Sequence, residues 1–133
     1  MIDKKRIKIF LNISALGFFL FILWIIYLAD TAQSSIFFDF IKMIPYGDKL
    51  GHMVLYGILS FLVSLALNFK KLKIGKIYVY YGVLLVFIFA FIEELTQGFY
   101  PNRTLDFFDL LADLVGLTLF SLLLRKIENI KNS

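Results

Sequence analysis

The sequence predicts an all-α, polytopic membrane protein: four transmembrane helices in a single domain covering residues 1–133, with both termini cytoplasmic. Three observations predict it. The chain is 60% hydrophobic and only 18% charged, with a mean hydropathy of +0.83, whereas soluble domains are nearer half apolar and a quarter charged. Four apolar runs, at about residues 7–29, 50–69, 77–97 and 106–124, are each long enough at ~1.5 Å per residue to cross most or all of a ~30 Å hydrocarbon core. Finally, eleven of the fourteen Lys and Arg residues fall on one side of the resulting topology, leaving Lys42, Lys49 and Arg103 on the other. The positive-inside rule makes the basic side cytoplasmic.

The first run follows Lys4, Lys5, Arg6 and Lys8. It is too long for the apolar region of a signal peptide, and "YLADTAQ" offers no small-x-small cleavage site, so a retained helix is expected. The second helix begins "DKLGHMVLYGILS". Asp48, His52, Tyr56, Ser60 and Ser64 recur at i, i+4 and form one polar stripe on an otherwise apolar helix. The lysine-rich "KKLKIGK" reads as a topology determinant between helices two and three. Near the outer end of the third helix, Glu94 and Gln97 are i, i+3 neighbours. The fourth carries Asp106, Asp109 and Asp113 at i, i+3, i+7, and Gly116 extends that face inward. The final "IENIKNS" reads as a loose end.

Three helices thus bring acid, base and amide groups to one depth. A lipid-facing carboxylate at Asp113, one turn deeper, would cost about 2.5–3.5 kcal/mol, so it should face the bundle interior. Arg103 is the only arginine expected on the outer side, and a bidentate pair with Asp106, Asp109 or Glu94 is its natural arrangement. The candidate ligand-binding set is Asp48, His52, Tyr56, Glu94, Gln97, Arg103, Asp106, Asp109 and Asp113. Ionisable residues within membrane helices mark functional sites by default. Asp30, Asp39 and Glu93 read instead as solvated carboxylates at helix ends, and Ser60 and Ser64 as packing groups. Trp24, Tyr27, Tyr78, Tyr80, Tyr81, Phe99 and Tyr100 read as interfacial belts.

The segments "DKLGHMVLYGIL" and "EELTQGFYPNRTLDFFDLLADLVG" resemble the VanZ-like membrane proteins, whose pattern runs Asp-Lys-x-x-His-x-x-x-Tyr or Phe, then Glu-x-x-Gln, then Arg with Asp and a small or amide residue ahead of a glycine. The matching positions are Asp48, Lys49, His52, Tyr56, Glu94, Gln97, Arg103, Asp109, Asp113 and Gly116. Asp113 stands where many members carry Asn. The resemblance covers roughly residues 40–120 and implies a short, single-unit member in a bacterial plasma membrane. It also implies a link to lipoglycopeptide (teicoplanin-type) resistance, without a mechanism that transfers.

The expected function is binding of a lipid headgroup or cell-envelope ligand by the outward-facing cluster. An intramembrane hydrolase or transferase is the first alternative, with Glu94 or His52 as general base and Arg103 steadying negative charge. No Ser or Thr sits beside His52 to serve as nucleophile, so the balance leans away from an enzyme. The Glu-Glu-x-x-x-Arg motif of CAAX-type membrane proteases fails, because Gly98 occupies the arginine position. A metal variant would use His52, Glu94, Asp109 and Asp113. With one histidine and no cysteine a tight zinc site is not expected, and no metal or cofactor is assigned. A structural or assembly role is the remaining alternative, since a four-helix membrane protein of this size can pair with copies of itself. The net charge of +4 reflects topology and inner-leaflet lipids rather than nucleic acid.

Overall fold

The computed structural model describes residues 3–30, 43, 47–100 and 105–132. Asp39, Lys42 and Arg103 lie outside those residues, as do the side chains of Asp30 and Asp48. The elements run α1 (Lys4–Asp30), α2 (Gly47–Ala66), β1 (Lys71–Ile74), β2 (Ile77–Tyr80), α3 (Tyr81–Gln97) and α4 (Phe107–Asn132).

Local chemistry sets the helix starts. Asp3 accepts a hydrogen bond from the Lys5 amide at 3.2 Å, and Asp106 accepts one from the Phe108 amide at 2.9 Å. Each therefore caps the helix that follows it, satisfying an amide with no partner inside the helix. α2 is the centre of the bundle, packing against α4, α3 and α1, while α3 also packs against α4. Ile22, Tyr56, Leu59, Val86, Ala90 and Leu117, drawn from all four helices, form the main core. Two glycines permit the closest approaches. A Cβ on Gly116 would meet the Met53 backbone of α2, and one on Gly82 would meet the Ser64 backbone. Small residues at such crossings let helices pack backbone to backbone.

The outer faces are apolar. Phe10, Ile13, Trp24, Phe108 and Leu119 are among many large hydrophobic side chains left exposed. Among the described residues three helices, α1, α2 and α4, are long and apolar enough to cross a membrane. α3 is shorter, with 17 residues, or about 25 Å of rise.

Three boundaries differ from the sequence reading, and each difference has a physical cause. Helix two was expected to reach residue 69, but α2 stops at Ala66 because Asn68 and Phe69 take left-handed conformations, with φ of 56° and 60°. Residues 77–80 were expected to open helix three. Instead "KLKI" and "IYVY" pair as an antiparallel hairpin, Lys71 opposite Tyr80 and Ile74 opposite Ile77. Gly75, at φ 63°, supplies the left-handed residue that its two-residue loop favours. The expected loose C-terminus is helical to Asn132. Its last turns are held from the hairpin: Lys71 Nζ and the Tyr80 hydroxyl both donate to Glu128 Oε1, at 2.9 and 2.8 Å.

Tyr80 is accordingly no interfacial belt residue. It is buried with Phe69 and Leu124 beneath the hairpin. Burial first, and the Glu128 bond second, push its phenol up to about 12. Lys131 adds a bond to Asn68 Oδ1 at 3.1 Å. At this end a cavity of about 810 Å³ is lined by Lys4, Lys8, Lys70 and Lys131 among apolar side chains. Basic residues of α1, of α4 and of the turn before the hairpin therefore gather at one end of the bundle.

Candidate functional site

At the opposite end, the first turns of α2 and α4 meet the last turns of α3. α2 contributes Lys49, His52 and Tyr56. α3 contributes Glu93, Glu94 and Gln97, which lie on the same buried face as Gly82, Val86 and Ala90. α4 contributes its cap, Asp106, then Asp109 and Asp113, whose face continues through Gly116 and Leu117. The contact of Gly116 with the Met53 backbone draws α2 and α4 together one turn below the polar layer. That close approach is what lets His52 reach Asp113.

His52 Nδ1 lies 2.9 Å from Asp113 Oδ1. Asp113 is fully buried, and its second oxygen, Oδ2, has no partner among the described residues. Glu94, 1% exposed, accepts the Asp106 amide on Oε1 at 2.8 Å. Its Oε2 is likewise buried and unpartnered. A ring nitrogen of His52 and a carboxylate oxygen from each of Glu94 and Asp109 lie within 4.8 Å of one another. At the rim, Lys49 Nζ bridges Asp106 Oδ2 at 3.0 Å and Asp109 Oδ1 at 3.2 Å. The Lys49 hydrogen bond, with help from the Phe108 amide, holds the Asp106 carboxyl below its ordinary range. The Tyr56 ring packs at 5.6 Å from the His52 imidazole, closing the site from below.

His52, Tyr56, Glu94, Gln97, Asp106, Asp109 and Asp113 thus converge. Asp48 lies in the first turn of α2 with its side chain outside the description, and Arg103 with its expected ion pair lies outside it entirely. Gln97 serves Glu93 rather than Glu94, donating to both Glu93 carboxylate oxygens at 3.0 and 2.8 Å.

Two participants were missed. Glu93, expected to be solvated, is 6% exposed, because Gln97 at i+4 pins it to the inward face of α3. Lys49, outside the expected ligand-binding set, bridges Asp106 and Asp109, an ion pairing the sequence predicts for Arg103. Its signal was present, since Lys49, His52 and Tyr56 stand at i, i+3, i+7 on one helical face. Ser60 donates to the Gly57 carbonyl at 2.7 Å, and Ser64 packs on Gly82, so neither serves His52 as a nucleophile.

Chemically, the arrangement is an acid-rich cluster with one imidazole whose Nδ1 is committed to a buried carboxylate. That contact leaves Nε2 as the nitrogen that could serve as a ligand or a base. No protein-family model, curated protein or solved structure matched the chain.

Proposed function

We propose that the chain is a VanZ-like protein of the bacterial plasma membrane, in which all four helices span and both termini face the cytoplasm. Its outward-facing cluster binds the headgroup of a lipid or cell-envelope ligand that carries an amine beside a phosphate. The clustering of basic residues around the far cavity supports the orientation through the positive-inside rule. A short α3 fits a span whose polar end, Glu93, Glu94 and Gln97, lies just beneath the headgroup layer.

The observation that carries the ligand reading is the pair of oxygens, Glu94 Oε2 and Asp113 Oδ2, that have no partner among the described residues. Native interiors satisfy buried polar atoms, and those left over in a pocket point to a missing partner. A cluster that served only to close the bundle would satisfy itself, as Gln97 satisfies Glu93. Among the described residues carboxylates outnumber Lys49 and His52, which favours an amine over a purely anionic group. Occupying or occluding such envelope ligands is how the protein would bear on lipoglycopeptide (teicoplanin-type) resistance.

Native mass spectrometry of the protein in mild detergent tests this, with phosphatidylethanolamine and phosphatidylglycerol supplied at equal concentration. Retention of the amine-bearing lipid, lost in Glu94→Gln while abundance and helix content persist, is the expected result. Equal retention of both lipids by the native protein and the variant would overturn it.

A further inference from the structure

The ligand reading leaves a difficulty of charge. A phosphate-bearing headgroup entering this pocket meets Glu93, Glu94, Asp106, Asp109 and Asp113 at close range. Lys49, the lysine at this rim, is already shared between Asp106 and Asp109. Two buried carboxylate oxygens meanwhile lack any partner among the described residues. A single added positive centre would satisfy the oxygens and admit the phosphate.

We propose that His52, Glu94 and Asp109 hold a divalent metal cation, and that the open positions of this cation receive the phosphate of the headgroup. The inference rests on the cluster being a ligand site, as proposed above. Three donors from three helices already stand within 4.8 Å of one another. Around a cation at ~2.0–2.2 Å these donors would draw closer together. Glu94 approaches with its spare Oε2, while Oε1 stays on the Asp106 amide. Asp109 keeps Lys49 on one oxygen and offers the other.

Asp113 is the positioning residue. By taking Nδ1 it fixes the imidazole tautomer and turns Nε2 to the metal, the carboxylate–histidine arrangement that accompanies most histidine ligands. One nitrogen and two carboxylate oxygens, without sulfur, suit a borderline-to-hard divalent ion such as Mn²⁺ or Zn²⁺. Carboxylate-held metals commonly complete their coordination with water and substrate phosphate. Such a site needs no second histidine.

His52 is the only histidine in the chain, so the metal can be located without altering the protein. The test uses full-length protein purified without a histidine tag, treated with chelator and titrated with Mn²⁺ alone in mild detergent. Paramagnetic resonance counts the bound ion, and pulsed measurements on ¹⁴N- and ¹⁵N-histidine samples read its nitrogen coupling. One Mn²⁺ per chain, with a coupling that changes on histidine labelling, is expected. Glu94→Gln and Asp109→Asn should each weaken binding by about tenfold or more, while Glu128→Gln, at the far end, leaves it unchanged.

Native protein that binds neither Mn²⁺ nor Zn²⁺ at sub-millimolar concentration overturns the proposal, as does bound Mn²⁺ without histidine coupling. If the metal fails while phosphatidylethanolamine is still retained and lost in Glu94→Gln, the metal falls and the headgroup reading stands. Histidine-coupled Mn²⁺ in a protein that retains no lipid would leave the metal site standing and remove the headgroup.

Discussion

At the residue scale, the pair His52–Asp113 decides what kind of cluster this is. Asp113 is 1% and His52 16% exposed at the side chain, so the pair is shielded from water and its members depend on one another. Removing one partner of a buried pair costs more than the pair contributes, because an uncompensated group is left behind. His52→Ala should therefore destabilise the protein by about 3 kcal/mol, since Oδ1 would lose His52 and leave both buried Asp113 oxygens without a partner among the described residues. Asp113→Asn should cost much less: the amide oxygen still accepts from Nδ1 and a buried charge disappears. Denaturant unfolding in mild detergent compares the two, and equal small losses would show that the pair is solvated. Asp106 behaves differently. Its carboxyl is held down by Lys49, so what that ion pair contributes is present above the ordinary carboxylate range and is lost as pH falls through the lowered value. That contribution is small for so exposed a group.

At the element scale, the crossing of α2 and α4 places the site. Gly116→Ala drives a methyl group into the Met53 backbone, which cannot rotate away as a side chain could. The helices must separate, at a cost of about 1–3 kcal/mol, and His52 draws back from Asp113. Gly17 in α1 is the internal control. A Cβ there meets nothing within 4 Å, so Gly17→Ala should leave stability unchanged or raise it by about 0.5–1 kcal/mol through helix propensity. Thermal unfolding of both variants checks this, and equal effects would show that the crossing is not tightly packed. The hairpin carries a second lesson. "IYVY" continues an apolar run into α3, and periodicity over four residues cannot separate strand from helix. Its pairing with "KLKI" and its contact with Glu128 decide the matter.

At the scale of the whole molecule, the two ends of the bundle differ in sign, acid at one and base at the other. The native chain has no cysteine, so single-cysteine variants report topology cleanly. Lys73→Cys, exposed on the hairpin, should react with a membrane-impermeant reagent only after cells are opened. Phe99→Cys, at a position 86% exposed beside the acidic end, should react in intact cells. Labelling of both from outside would refute the four-span arrangement.

Composition, run length and charge segregation determined the helical class, three of the four expected membrane-length helices and the spacing that puts His52, Glu94, Asp109 and Asp113 on inward faces. These are periodic properties of a chain in a bilayer, where each helix satisfies its own backbone. What only the tertiary structure decided depends on contacts between segments remote in sequence. The backbone approach at Gly116 joins His52 to Asp113, across 61 residues. Lys49 reaches Asp109 across 60 residues and so acts as the rim cation. Glu93 goes inward with Gln97. Each of these outcomes rests on which faces meet, and a helical period leaves that open until the helices pack.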